Sequence, residues 1–102
     1  MIGLTRSAYL RAVDASGWSV ALIEGPRRWR ELVYARKAIA YALTQRGVSI
    51  RLVAHHMNRD RQTIRHGVRT AAPLDQYDGQ FAKLVTRIQN AAWPPLPERL
   101  AA

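Results

Sequence analysis

The side chains best suited to chemical recognition lie between residues 61 and 65, at the spacing of a helix. Arg61, Gln62 and Arg65 would share the outer face of such a helix. A guanidinium donates two parallel hydrogen bonds to O6 and N7 of guanine, and a Gln amide pairs similarly with N6 and N7 of adenine. Thr63 adds a hydroxyl and a methyl group suited to a phosphate or a thymine. These four residues are therefore candidate readers of base edges in a DNA major groove.

Positive charge is concentrated around this helix. The segment 27–70 contains eleven basic residues and two acidic ones, so it carries the whole formal net charge of +9. This segregation favours a polyanionic partner, because each neutralised phosphate releases condensed counterions. The excess of Arg over Lys fits phosphate recognition, and a GC-rich genome produces the same excess. Eight basic side chains are candidates for contact with the DNA backbone or the minor groove: Arg27, Arg28, Arg30, Arg46, Arg51, Arg59, His66 and Arg69.

Apolar residues recur at steps of three and four, which predicts an all-α fold of four to five helices. The clearest pattern is a long helix over 27–46, which Gly25-Pro26 would open. A short helix is expected over 5–15 with Ala8, Leu10 and Val13 inward, and residues 18–23 fit either a second short helix or an extended arm. Pro73 is expected to end the helix that carries Arg61, and a last helix would cover 75–92.

Residues 49–72 have the pattern of a helix-turn-helix. Ser49 would cap the first helix, and Asp60 would cap the second, recognition helix. The small Ala54 allows a close helix crossing, and Ile64 follows it at the spacing expected of the second inward residue. Asn58, which tolerates the left-handed region, stands in the turn. The second helix would then be free to enter a major groove.

The chain is expected to form one DNA-binding domain with four parts. Residues 1–25 would be an N-terminal helical extension or arm, 26–72 the helix-turn-helix core, 73–92 a C-terminal helix and 93–102 a Pro-rich tail. Trp18 and Trp29 are expected to anchor the N-terminal part in the core. The alternatives for Trp29 are a position at a membrane surface or stacking on a base. The Pro-rich tail is expected to be loose, with Trp93 and Leu96 as the residues through which it could dock.

The segment 26–72 resembles the C-terminal DNA-binding domain of the bacterial replication initiator DnaA and, more distantly, the Trp repressor. Three runs carry the resemblance: Arg36-Lys37-Ala38-Ile39-Ala40-Tyr41-Ala42-Leu43, Ser49-Ile50, and Arg59-Asp60-Arg61-Gln62-Thr63-Ile64-Arg65-His66. The resemblance implies an all-α domain with a long central helix before the helix-turn-helix. It also implies that the basic residues ahead of the long helix insert into a minor groove, as Arg27, Arg28 and Arg30 would here.

The chain departs from this family in three places. Arg61 and Gln62 replace a His and a Thr that read bases in the family, so the family's target sequence does not carry over. Met57-Asn58 stands where the family has a Gly-Gly turn. The sequence also lacks the G-x-x-x-x-G-K-[ST] loop of an ATP-driven initiator. A stand-alone regulator of a bacterial chromosome, a phage or a gene transfer agent, or an excised domain of a larger regulator, fits these departures better than an initiator does.

The expected partner is double-stranded DNA, and the chain is expected to be a cytoplasmic, nucleoid-associated transcription regulator rather than an enzyme. Ser, His and Asp show no spacing typical of a triad, and the adjacent His55 and His56 would point to different faces, so neither catalysis nor a metal site is expected. No apolar run is long enough to span a membrane. The alternative is a helical interaction module whose basic face binds an acidic protein, RNA or a membrane surface.

The last helix carries an apolar stripe with two interpretations. The stripe packs inside the chain, or it forms a surface for a dimer partner or the transcription machinery. Its members are Tyr77, Phe81, Leu84 and Ile88.

Overall fold

The computed structural model describes residues 2–95, and within that range the fold is all-α, as the sequence predicts. It has six helices rather than four or five, and no strand occurs among the described residues. None of these helices is both long and apolar enough to cross a membrane. The helices are α1 (Arg6–Ala15), α2 (Val20–Glu24), α3 (Arg30–Gln45), α4 (Ile50–Met57), α5 (Arg61–Tyr77) and α6 (Gly79–Ala92).

The core is built around α3, which packs against α4, α5 and α6. Leu32, Ile39 and Leu43 are fully buried along its inner face. Three alanines, Ala35, Ala38 and Ala42, are also buried on α3, and their small side chains allow neighbouring helices to approach closely. The helix that precedes the candidate recognition elements therefore also holds the rest of the fold together.

The N-terminal part belongs to this core rather than extending from it. Thr5 caps α1 by accepting a hydrogen bond from the backbone N–H of Ala8. The buried face of α1 includes Tyr9 and Val13, whereas Leu10, expected to face inward, is 38% exposed. The most extensive helix packing in the molecule joins α1 to α6. Of the two alternatives for residues 18–23, the structure has the short helix, α2.

Arginines tie the ends of α1 and α6 together. Arg11 on α1 donates to the carbonyl oxygens of Ala91 (3.0 Å) and Ala92 (2.9 Å) at the end of α6. Arg87 on α6 donates to the carbonyl oxygen of Ala15 (3.1 Å) at the end of α1. Since the last carbonyls of a helix have no partner within that helix, each helix supplies the cation that caps the other.

The start of α3 differs from the prediction. Gly25-Pro26 does not open the helix, and the chain stays non-helical until α3 begins at Arg30. Gly25 allows a close approach here, because a Cβ at this position would lie 2.7 Å from the carbonyl oxygen of Ala21. We call residues 25–29, between α2 and α3, the arginine loop.

The end of α5 also differs, because Pro73 does not terminate the helix. It removes one intrahelical hydrogen bond, yet α5 continues to Tyr77, so the boundary expected at 72/73 falls inside a helix. Two aspartates hold this continuation: the Tyr41 hydroxyl donates to Asp75 (3.4 Å) and the Tyr34 hydroxyl donates to Asp78 (3.1 Å). Both tyrosines lie on α3, so tertiary contacts outweigh the local preference.

The apolar stripe expected on the last helix does not form one surface. Phe81 and Ile88 are fully buried in the core, and Leu84 is half-buried. Tyr77 belongs to α5 and is 81% exposed. The four residues therefore do not provide a continuous face for a partner. Trp93 packs against the core from just beyond α6, and Leu96 lies outside the described residues.

Candidate nucleic-acid interface

A three-residue turn, Asn58–Asp60, joins α4 to α5. Ser49 caps α4 by accepting from the backbone N–H of Leu52 (3.1 Å). Asn58 ends α4 in the left-handed conformation, with φ of 58° and ψ of 47°. Four buried side chains close the inner side of the pair: Val53, Ala54, Met57 and Ile64.

Asp60 is the N-cap of α5. Its carboxylate accepts from the backbone N–H of Thr63 (2.8 Å) and from the Thr63 hydroxyl (2.9 Å). These two bonds lower the pKa of Asp60, because they favour its ionised form. The negative charge also lies at the positive end of the helix dipole. Asp60 thus fixes the first turn of α5, where the candidate base readers begin.

The four candidate base readers are exposed on the first turns of α5. Arg65 donates to the side-chain oxygen of Gln62 (3.0 Å), so these two side chains form a pair on the surface. Arg61 projects from the first position of the helix. The Thr63 hydroxyl hydrogen is used by the Asp60 cap, which leaves its oxygen as an acceptor and its methyl group for contact.

A groove of about 520 Å³ separates the arginine loop and α3 from α5. Arg28 lines the groove from the loop, and Thr63, His66 and Gly67 line it from α5. We call it the α3–α5 groove. It brings the candidate backbone residue Arg28 beside α5, although 35 residues separate Arg28 from Thr63 in the chain.

Val33 and Lys37 are among the groove residues that were not candidates from the sequence. Lys37 is half-buried and Val33 is 40% exposed, and both line the groove from α3. Their spacing of four residues places them on one face of α3. That spacing is the signal that could have identified them. It does not separate Lys37 from the adjacent Arg36, which has the same charge but is buried.

Arg36 is a buried arginine, whereas the sequence pattern places it among the surface arginines of the long helix. Its guanidinium donates to the carbonyl oxygens at the end of α2 and in the arginine loop. The acceptors are Ile23 (2.9 Å), Leu22 (2.8 Å), Gly25 (2.9 Å) and Arg27. Burial lowers the pKa of Arg36, and the nearby positive charges of Arg59 and Arg28 lower it further.

Arg59, a candidate backbone contact, is also engaged within the chain. Its half-buried guanidinium donates to the carbonyl oxygens of Glu24 (3.2 Å), Gly25 and Asn58 (3.3 Å). The guanidinium is therefore committed to the same loop as that of Arg36 rather than presented freely on the surface.

The remaining candidate backbone residues are exposed, but they occupy three different places. Arg27 and Arg30 flank Trp29, and the Arg27 guanidinium lies 5.2 Å from the centre of the Trp29 ring. His66 and Arg69 lie together on α5, with 3.4 Å between Nδ1 and Nη2. Two others, Arg46 after α3 and Arg51 in α4, do not line the α3–α5 groove.

The structure places the two tryptophans differently. Trp29 is 46% exposed at the N-cap position of α3, where its side chain makes no capping hydrogen bond, so it is not a core anchor, whereas Trp18 packs against the core. His56 accompanies Tyr9, with ring centres 5.2 Å apart, and its Nε2 lies 2.9 Å from the carbonyl oxygen of Leu4. His56 therefore belongs to the packing of α1. Across residues 2–95, no group of three or more His, Cys, Asp or Glu side chains could hold a metal ion.

Within the part of the chain that the structure describes, no acidic side chain forms an ion pair with a basic residue of the segment 27–70. The only ion pair in that part joins Arg6 to Glu24, at 3.1 Å. Arg6 lies outside the basic segment, so none of the eleven bases between Arg27 and Arg69 has a carboxylate within ion-pair distance there. The two acidic residues within the segment, Glu31 and Asp60, are exposed, and Asp60 serves as the helix cap.

Comparisons with known proteins add no assignment. No protein-family model matches the chain, and neither the curated proteins nor the solved structures include a match.

Proposed function

We propose that the chain binds double-stranded DNA in a sequence-specific manner, with α5 in the major groove and the arginine loop on the backbone or in the adjacent minor groove. On this proposal it acts as a transcription regulator of a bacterial chromosome or of a phage-like element. The observation that carries the proposal is the placement of the arginine loop, which has no ion pair in the described part of the chain, beside the start of α5. Arg28 and Thr63 line one groove, and Arg61, Gln62 and Arg65 are exposed on the same first turns of α5, outside the groove.

The chemistry of the exposed side chains supports this proposal. A helix whose N-terminal residues present Arg and Gln donors suits base edges, and cations beside it suit the flanking phosphates. The connection between α4 and α5 is short and capped at both ends, as a helix-turn-helix requires. The resemblance to the DnaA DNA-binding domain agrees with this arrangement, while Arg61 and Gln62 imply a target other than that family's.

Selection from a random library of duplex DNA, read by sequencing, tests the proposal. We expect an enriched motif, with a single asymmetric site if one copy binds and a two-fold symmetric site if two copies bind. Arg61→Ala or Gln62→Ala should each cost about 1–3 kcal/mol on the preferred site and relax the preference at one position. Arg28→Ala should weaken binding to all DNA sequences alike, and it should reduce the slope of log affinity against log salt concentration by about one.

Arg87→Ala provides the matched control, because Arg87 lies on α6 and donates only to the end of α1. This variant should keep the motif and the affinity. Selection without any enriched motif, or equal competition by random duplex, RNA and acidic polymers, would overturn the proposal. That result would favour the helical module that binds acidic partners through charge alone.

A further inference from the structure

The arginine loop is held by two guanidiniums from different parts of the fold. Arg36 reaches it from the middle of α3, and Arg59 reaches it from the turn between α4 and α5. Together they donate to the carbonyl oxygens of five consecutive or near-consecutive residues: Leu22, Ile23, Glu24, Gly25 and Arg27. Both side chains contact the same oxygen, that of Gly25.

These hydrogen bonds satisfy backbone carbonyl groups that would otherwise lack a donor. α2 has only five residues, so nearly all its carbonyl groups lack a partner within the helix. Positive charge is also favourable at a helix C-terminus. The planar guanidinium presents five donors in fixed directions, which lets one side chain satisfy several carbonyls and set their relative positions. The two arginines therefore determine the path of the chain as it leaves α2.

Arg59 connects this path directly to the candidate recognition helix. It precedes Asp60, the N-cap of α5, by one residue. The backbone N–H of Arg59 is itself fixed by a bond to the carbonyl oxygen of Ala54 (3.0 Å). Any displacement of the arginine loop relative to the first turn of α5 would have to break the bonds from Arg59 to Glu24 and Gly25.

Arg36 and Arg59 bond carbonyl oxygens rather than carboxylates, and this has an electrostatic consequence. Besides burial, the positive charges of Arg59 and Arg28 lie close enough to Arg36 to lower its pKa. Carbonyl oxygens solvate the two inner cations but do not cancel their charge. The loop is thus fixed in place by groups that also raise the positive potential of the α3–α5 groove, where an anionic backbone would lie.

We infer that Arg36 and Arg59 are positioning residues that hold the arginine loop in a fixed place relative to the first turn of α5, so that both elements meet DNA as one preorganised surface. This inference rests on the proposed function for its effect on binding. Its structural half, the rigidity of the loop, concerns the chain without DNA. The benefit to binding is that the ordering of the loop is not paid for on association.

The first experiment measures the loop without DNA. ¹⁵N relaxation should give Gly25 and residues 27–29 backbone order parameters of about 0.85 in the unaltered chain. Arg59→Lys should lower these values, most of all at Gly25, whose carbonyl oxygen loses its bond from Arg59. Lysine keeps the charge but not the forked donors. The matched control is Arg11→Lys, which makes the same change where a guanidinium donates to two carbonyls at the end of α6. The control should leave the loop unchanged.

The second experiment measures coupling on the preferred duplex. Arg28→Ala is expected to weaken binding by about tenfold in the unaltered chain and by less than about threefold in the Arg59→Lys background, because a mobile loop no longer positions Arg28. In the Arg11→Lys background the full effect of Arg28→Ala should remain. Arg36 is buried, so Arg36→Lys serves as a second variant only where circular dichroism shows native helix content.

The outcomes separate the two proposals. If Arg59→Lys leaves the order parameters equal to those of Arg11→Lys, the positioning role is wrong, whatever the chain binds. If the loop loosens but the effects of Arg28→Ala and Arg59→Lys on DNA affinity are additive, the loop is not preorganised for binding. The inference about binding is then overturned, although the positioning of the free loop stands. If no duplex is preferred, the proposed function fails, while the relaxation result still decides whether these arginines hold the loop.

Discussion

At the scale of single residues, arginine has three different environments in this fold. Arg61 is exposed on α5, Arg11 bonds to a helix end, and Arg36 is buried beneath the arginine loop. The last two environments depend on backbone carbonyls that lie 9 to 81 residues away in the chain. Sequence periodicity could therefore predict the exposed face of α5 but not the burial of Arg36, because no local pattern encodes a converging set of distant carbonyls.

Tyr9 tests the cost of a buried hydroxyl. Its ring is fully buried beside Arg6 and His56, and its hydroxyl has no hydrogen-bond partner among the described residues. Burial raises the pKa of Tyr9, so its hydroxyl keeps its proton at pH values where an exposed tyrosine ionises. Tyr9→Phe keeps the ring and removes the unsatisfied group, so the free energy of unfolding should stay the same or rise by about 1 kcal/mol in urea denaturation.

Tyr34→Phe is the control for this prediction. The Tyr34 hydroxyl donates to Asp78, so its removal should lower the free energy of unfolding by about 1 kcal/mol. A loss of that size for Tyr9→Phe as well would mean that the Tyr9 hydroxyl is satisfied by water.

At the scale of elements, local signals account for the helix starts better than for the helix ends. Thr5, Ser49 and Asp60 cap α1, α4 and α5, and each could be read from residue type and position. The start of α3 predicted from Gly25-Pro26 and the end of α5 predicted from Pro73 were both wrong. In both cases side chains of α3 hold the backbone from outside the segment, through Arg36 in the first and through Tyr34 and Tyr41 in the second.

The Asp60 cap predicts a pH dependence of α5. The pKa of Asp60 is lower in the folded chain than in the unfolded chain, so its contribution is present above the unfolded value, near 3.9, and is lost as pH falls through the lower folded value. Asp60→Asn keeps an acceptor but not the charge. The difference in unfolding free energy between the two chains should therefore shrink as pH falls below about 4. A difference that stays constant down to pH 2 would contradict this role of the charge.

Pro73 predicts a simple gain in stability. It occupies the interior of α5 without a backbone N–H to donate, whereas alanine would restore that bond. Pro73→Ala should raise the free energy of unfolding by about 1–3 kcal/mol, less the entropy that proline removes from the unfolded chain. Thermal denaturation followed by circular dichroism measures it. Ala72→Gly, at an exposed neighbouring position, should lower stability by about 1 kcal/mol and calibrates the site. A lower melting temperature for Pro73→Ala would show that α5 depends on a bend at this point.

At the scale of the whole molecule, the excess of positive charge lowers the stability of the folded state. The chain carries a formal charge of +9, and its described part contains the single ion pair between Arg6 and Glu24. Like charges without an ion-pair partner repel one another, and that repulsion weakens the compact state. A polyanion would relieve this repulsion on binding, so binding and folding should respond to salt in opposite directions.

Raising NaCl from about 50 to about 200 mM should therefore raise the melting temperature, because the Debye length shortens and the repulsion is screened. Over the same range, affinity for the preferred duplex should fall, by about 10³-fold if about six phosphates are contacted. Calorimetry and fluorescence anisotropy measure the two effects. An affinity that does not change with salt would contradict a phosphate-binding face, and a melting temperature that falls would contradict the repulsion.

The pairing of α1 with α6 bears on how the protein is made. α1 ends at Ala15 and α6 begins at Gly79, so the ribosome completes the first of these helices long before it starts the second. At about 5–20 residues per second, the nascent α1 waits several seconds for the helix that covers it. The part of its apolar face that packs on α6 lacks that partner throughout the interval, so we expect chaperones that bind hydrophobic segments to recognise the nascent chain at this stage.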